Sequence, residues 1–361
     1  MTAASSRPAS GAAAPVDAAG LDEFFMGALA AFDRAARRAA PVSRRHRFGP
    51  HAIRTSVAGA PLAQAIDDAF AHLRLPEAGE HVLEIRCWDV AATGSPPPRA
   101  PWPGEAFGLK GEIALPGQDR YAAYYQFGAD TVSLFDRRRR IALYWARDGA
   151  AIPYWERSFP FRPIFHWSCL DGPLQPAHAG AVGLADAGML ITGRSGAGKT
   201  TTTVACLVGG LRYAGDDYVL VEGGAAPAVH SLYNAAKFTD DSLARFPHFA
   251  SWVWNPARTG DEKALVYGHR AFPEALIATM PLRAIGVPVV TGGRDTVIRR
   301  VSPTVAIRAL APTTLAQLPG QGAETLAKLS RLCAAVPCVE IAAGTDLAQI
   351  PRAIRDYLES A

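Results

Sequence analysis

The sequence predicts a chain of two parts: an N-terminal α+β domain over residues 21–165 and a C-terminal α/β domain over residues 166–361. Three observations lead there. The stretch Met189–Thr203, "MLITGRSGAGKTTTT", reads as a short buried strand, a glycine-rich turn and the start of a helix. From His178 onward, apolar runs of strand length alternate with segments of helical spacing, the pattern of an α/β sheet. The first half also has strands and helices, but its strands cluster around turns and it holds no such loop.

The first twenty residues are Ala-, Ser-, Pro- and Gly-rich and lack an apolar core segment, so a disordered tail is expected there rather than a signal peptide. "LDEFFMGALAAFDRAARRAA" reads as a helix with acids in its first turn and arginines in its last. "LAQAIDDAFAHL" is a second helix, and "EHVLEIRCWDV" a strand. "SPPPRAPWPG" must be extended, because consecutive prolines fit neither helix nor sheet interior. "YAAYYQFG", "TVSLF" and "IALYWA" read as strands of a largely antiparallel sheet, with "DRRRR" (Asp136–Arg140) between the last two as a solvated turn or a dock for an acidic partner or phosphate. The aromatic stretch Tyr154–Gly172 marks the junction, where Trp155, Trp167 and the phenylalanines read as packing between the two parts.

Beyond it, "HAGAVGL" and "AGMLIT" form a hairpin that feeds the glycine-rich loop. After the loop's helix, "RYAGDDYVLVE" brings two acids to the entrance of an apolar strand. "VHSLYNAAKF" (Val229–Phe238) is unusually polar between apolar strands and reads either as a ligand-contacting segment through Lys237 or as a solvated loop or helix start. Strands at "RAIGVPVV", "DTVIRRV" and "VPCVEI" and helices at "TLAKLSRL" and "DLAQIPRAIRDYLES" complete the chain.

Composition limits the partners. The net charge is only +4, with 32 Arg against 5 Lys, so no nucleic-acid partner is expected. No apolar window approaches the length that spans a bilayer, so no membrane partner is expected either. Five irregularly spaced cysteines point to a reducing, cytoplasmic compartment. A homo-oligomer is compatible with all of this.

Gly193, Gly198, Lys199 and Thr200 satisfy G-x-x-x-x-G-K-[ST], the Walker A pattern of a P-loop, in its strand–loop–helix context. Backbone N–H groups along Gly193, Arg194, Ser195, Gly196, Ala197 and Gly198 would face an anion at the helix N-terminus. Lys199 would neutralise β/γ-phosphate oxygens, the Thr200 hydroxyl would ligate Mg²⁺, and Thr201 follows it. Asp216 and Asp217 lie 17 and 18 residues after Lys199, one helix and one turn on, which returns them beside the loop. One carboxylate there can hold Mg²⁺ and the other can take a proton from an incoming hydroxyl; Asp216 is the more natural metal partner and Asp217 the base. Lys263 and Arg283 are further candidates to grip a transferring phosphoryl.

The order of His178, the loop lysine 21 residues later and the paired acids, with "HAGAVGLADAGMLITGRSGAGKT" between, resembles the catalytic domain of HPr kinase/phosphorylase and the wider group of HPr-kinase-like serine kinases, some from peptide-biosynthesis clusters. The resemblance covers about His166–Tyr218, extends loosely to the C-terminus and does not reach the first 160 residues. It implies an HPr-kinase-like, PEP-carboxykinase-like nucleotide-binding fold, ATP and Mg²⁺, an acceptor serine on a peptide or small protein, and an active-site role for His178 beside Asp216 and Asp217. The chain departs from that family at Thr201, where the family has Glu, and at "VHSLYNAAKF", where the family's later acidic signature is missing. Both departures bear on HPr itself as acceptor and on the reverse phosphorylase reaction.

The expected activity is therefore transfer of the γ-phosphoryl of ATP to a Ser or Thr hydroxyl of a peptide or small protein, with residues 21–165 on the acceptor side. Arg137–Arg140 and the loop Ser95–Gly104 are the candidates in that half to touch an acceptor peptide. Two alternatives keep the loop and change what it serves. One is a kinase for a small-molecule hydroxyl, and the other is a regulator that senses or hydrolyses ATP.

Overall fold

The structure is a computed structural model that describes residues 17–115, 119–194 and 196–360. Most of the expected tail lies outside the described residues. Asp17 caps the first helix by accepting from the Gly20 N–H, and that helix, Ala18–Arg38, already begins inside the expected tail. Its acids consequently fall beyond the first turn.

The first half folds into an eight-stranded mixed sheet. Its strand order is Arg74–Leu75, Val42–Phe48, His51–Ala58, Leu83–Asp89, Ile141–Ala146, Thr131–Asp136, Tyr121–Gln126 and Glu112–Ile113. Leu83–Asp89 runs parallel to both its neighbours, and the other pairs are antiparallel. The hairpin Val42–Phe48/His51–Ala58 had no clear sequence signal, because "VSRRHRF" places three arginines and a histidine in one strand. Side chains alternate across the sheet, as the strand period of two requires. Leu143 and Trp145 face the first helix with Phe25, Ala28 and Phe32, while Ala142, Tyr144 and Ala146 face the helix Ala60–Phe70.

The second half forms a nine-stranded sheet whose spine is the long strand Thr279–Val290. Gly188–Ile191 and Cys338–Ala343 run parallel to this spine, and Ala228–Ser231 is antiparallel to its start. Helices Lys199–Val208 and Gln349–Ser360 cover one side, through Val204, Cys206, Ile350 and Ile354. Helices Pro303–Gln317 and Gly322–Ala335 cover the other, through Leu310, Leu329 and Leu332. The first of these two carries prolines at its start and at Pro312, which hid it from the sequence pattern. A separate two-stranded ribbon, Ala235–Phe238 with Ala264–Tyr267, stands apart from both sheets.

"VHSLYNAAKF" is neither a solvated loop nor a helix start. It spans two strands, and His230, Ser231, Tyr233 and Asn234 are buried. They meet the first half: His72 Nε2 lies 2.6 Å from Ser231 Oγ, and the Asn234 amide donates to the carbonyls of Asp68 and Ala69 at 2.8 and 3.0 Å. One apolar core accordingly runs across residue 165. It joins Phe48, Leu62 and Phe70 to Phe161, Phe165, Tyr218, Leu220, Tyr233 and Tyr267.

Candidate active site

The strand Gly188–Ile191 is buried along its whole length and ends at a turn that leads directly into the helix starting at Lys199. Gly198 sits at φ +92° and caps that helix in the left-handed region, where a side chain would strain the backbone. The loop closes on its own lysine: Lys199 Nζ donates to the Gly193 carbonyl at 2.9 Å and the Arg194 carbonyl at 3.4 Å. Burial pushes the Lys199 pKa down, and the charges of Asp217 and Asp216 oppose that. Ser195 lies outside the described residues.

Asp216 and Asp217 occupy the bend between strands Arg212–Gly215 and Val219–Glu222. The hydroxyl of Thr203, one turn into the loop's helix, donates to Asp216 Oδ1 at 2.6 Å. The helix can come this close because position 180 is glycine: a Cβ there would stand 2.5 Å from Thr203 Cγ2. Asp216 is 1% exposed, and its Oδ2 has no hydrogen-bond partner among the described residues. Burial, then the neighbouring Asp217 charge, pushes its pKa up to about 6, against the Thr203 and Thr200 hydroxyls.

Asp217 is in the opposite state. Burial would raise it, but Lys237 Nζ at 3.1 Å from Oδ2 and His178 Nε2 at 3.7 Å from Oδ1 hold it well below the usual carboxylate range. His178 is in turn set by its backbone N–H, which donates to Thr314 Oγ1 at 3.0 Å, and by its ring against Tyr218.

The donors present suit Mg²⁺. Thr200 and Asp216 offer hard oxygens, and the buried, unpartnered Asp216 Oδ2 is an orphan that a cation would satisfy. Among the described residues no cluster of three His, Cys, Asp or Glu side chains could hold a metal alone. Mg²⁺ is usually held by one or two carboxylates together with substrate phosphates.

Most of these groups meet in a cleft of about 1160 Å³, while Asp216 stays buried behind it against Thr203 and does not line it. His178, Gly196, Gly198, Lys199, Thr200, Thr201 and Asp217 line it, while Gly193, Arg194 and Ala197 face a smaller cavity beside it. Lys237 of the ribbon, Lys263 just before it and Arg245 line the cleft too, with the apolar Val290, Leu347 and Ile350. Five cations (Arg162, Lys199, Lys237, Arg245, Lys263) face two carboxylates (Asp217, Asp241), so the cleft favours a polyanion.

Several wall residues carried no ligand signal in the sequence. Trp155 and Phe159, expected to pack between the two parts, line the cleft together with Arg162, and the centre of the Phe159 ring lies 4.4 Å from Lys237 Nζ. The aromatic character of Trp155 and Phe159 was legible, but the direction they face was not. Arg283 is exposed on the long strand and does not line the cleft. The Arg137–Arg140 turn and the loop Ser95–Gly104 are absent from its lining too. The turn is not simply solvated: the guanidinium of Arg139 pairs with Asp22 and with the buried carboxylate of Asp136. Ser95 is tied to the first helix through a 2.8 Å bond to the Ala31 carbonyl.

No helix among the described residues is long and apolar enough to cross a membrane. No family model matches the chain, and no curated protein matches it. Among solved structures, the HPr(Ser) kinase/phosphatase from Coxiella burnetii is similar over 52% of this chain and 97% of its own, at 12% identity and a TM-score of 0.32.

Proposed function

We propose that this protein is a kinase that moves the γ-phosphoryl of Mg·ATP to a Ser or Thr hydroxyl of a peptide or small protein. The observation that carries this reading is that Lys199 of the glycine-rich loop and Asp217, with His178 beside it, line one cation-rich cleft. A phosphate cradle alone would serve a sensor. A half-buried carboxylate held at the same cleft by two partners serves transfer to an acceptor.

The loop N–H groups and Lys199 hold the β- and γ-phosphates, and Thr200 with Asp216 would hold Mg²⁺. When bound, Mg²⁺ supplies charge neutralisation across the β- and γ-oxygens. The acceptor oxygen forms its bond to phosphorus as the bond to the β-phosphate oxygen breaks, and the hydroxyl proton passes to Asp217. Phosphoryl transfer goes through a loose transition state, with catalysis resting mainly on positioning and charge. A carboxylate held ionised therefore suffices to align the hydroxyl and collect its proton. His178 positions that carboxylate.

The cleft exceeds the roughly 300–1,000 Å³ of a typical small-molecule pocket, which supports a nucleotide plus an acceptor side chain. We assign the acceptor end to Trp155, Phe159 and Tyr218, at the junction between residues 21–165 and the P-loop half. A reducing, cytoplasmic setting fits the five free cysteines. The test is incubation with Mg·[γ-³²P]ATP and a mixture of Ser- and Thr-containing peptides, with free serine and sugars in parallel. Label on peptide supports the reading; label only on a free small molecule replaces the acceptor; hydrolysis alone replaces the kinase.

A further inference from the structure

The ribbon Ala235–Phe238/Ala264–Tyr267 is hydrogen-bonded to neither large sheet, yet two of the chain's five lysines stand on it or at its edge. Its alternation is orderly. Ala236, Phe238, Ala264 and Val266 point into the core beneath the loop's helix, while Ala235 and Leu265 join the core that holds Phe159 and Tyr218. Lys237 lies directly opposite Leu265 in the register, and Lys263 is two residues before it, so both lysines share the face turned to the cleft.

Lys237 is held in place. Its ammonium sits 3.1 Å from Asp217 Oδ2 and 4.4 Å from the centre of the Phe159 ring, with the side chain 16% exposed. An ammonium has three N–H donors, and Asp217 takes one of them. Lys263 lines the same cleft as Lys199 and Lys237, so three like charges border one space. Like charges set facing one another across a gap are relieved by an anion between them.

Resting on the kinase reading, we infer that the ribbon is the second jaw of the phosphate site: Lys237 grips the transferring γ-phosphoryl beside Asp217, and Lys263 grips the phosphates that stay with the nucleotide. The loop holds the polyphosphate from one side and the ribbon from the other. Lys237 then touches the γ-phosphoryl and the proton acceptor at once, so it sets the acceptor hydroxyl and the phosphorus in line.

The test is calorimetric titration with Mg·ADP and with the Mg²⁺ complex of the β,γ-imido analogue of ATP. The wild-type protein should bind the imido analogue more tightly than ADP. Lys237→Met should weaken the analogue about ten-fold or more, the usual size of a lost charged hydrogen bond, and leave ADP unchanged. Lys237→Arg should recover part of the loss, and Lys263→Met should weaken both nucleotides. Should Lys237→Met not fold, Asp217→Asn serves instead: it frees the ammonium and should bind the analogue at least as tightly as wild type. Equal wild-type affinity for the two nucleotides would overturn the inference. So would undiminished analogue binding by Lys237→Met, an equal loss of ADP in that variant, or weaker analogue binding by Asp217→Asn. Wild-type protein that binds neither nucleotide overturns the kinase reading itself.

Discussion

Asp216 and Asp217 are neighbours in the chain and stand in opposite electrostatic states. Asp216 accepts from the Thr203 hydroxyl at 2.6 Å and keeps its other oxygen unpartnered, while Asp217 lies between Lys237 at 3.1 Å and His178 at 3.7 Å. Two adjacent carboxylates with unlike environments are suited to two different roles. The bend at their backbone turns one toward the helix and the other into the cleft.

Asp217→Asn should keep Mg·ATP binding and lose phosphoryl transfer by about two to four orders of magnitude, the usual cost of a missing general base. Single-turnover transfer from labelled ATP measures it. A normal rate in this variant together with a dead Asp216→Asn protein would exchange the two roles.

Asp216→Asn should stabilise the metal-free protein at neutral pH. The Asp216 pKa stands at about 6 against an ordinary 3.8, so its ionisation costs stability as pH rises from about 4 to 6. Asparagine removes a penalty of about 3 kcal/mol at most, at roughly 1.4 kcal/mol per pKa unit. Thermal melts in chelator should show a higher Tm for the variant at pH 8 and no gain at pH 4. Added Mg²⁺ should raise the wild-type Tm in the presence of ATP and leave the variant's unmoved.

Lys199→Ala should abolish Mg·ATP binding and leave the melting temperature close to wild type. Beyond its two bonds to the Gly193 and Arg194 carbonyls, the lysine supplies charge to a loop whose shape comes from Gly198 and the strand before it. Titration calorimetry is the check, and unchanged affinity would remove the loop from the site.

Acid should destabilise the fold from about pH 6.5 downward. Burial holds His46 and His166 down to a pKa of about 4, so below 6.5 the unfolded chain takes up protons that the folded chain refuses. The contribution present above pH 6.5 is lost at about 1.4 kcal/mol per pH unit per histidine, reaching about 3 kcal/mol each near pH 4. Among the described residues neither His166 ring nitrogen has a side-chain partner. His166→Phe should therefore be tolerated and should flatten the fall of Tm between pH 7 and 5.

A chain beginning at Tyr154 should express poorly and bind a hydrophobic dye. The truncation strips Phe48, Leu62 and Phe70 from Phe161, Phe165 and Tyr233 and bares a face that is buried in the whole protein. Soluble yield and dye fluorescence are the measurements. A well-folded, ATP-binding product would show that the second half is an independent domain.

The sequence by itself determined the loop, its helix, the hairpin that feeds it and the two acids one turn beyond. Each of these is a local pattern. Glycines at fixed offsets, a lysine at a helix start and an apolar strand on either side specify backbone geometry within a few residues, and such geometry survives without knowledge of the rest of the chain. The hairpin Val42–Ala58 escaped because its alternation is carried by arginines rather than apolar residues. Tertiary structure alone decided which distant groups share the cleft. Lys237 meets Asp217 twenty residues away through a ribbon that neither large sheet includes, and Trp155, Phe159 and Arg162 turn into the cleft from a segment that reads only as aromatic packing. Where a side chain ends up depends on which surfaces bury each other, and that choice is made by the whole apolar core, which here runs unbroken from Phe48 to Tyr267.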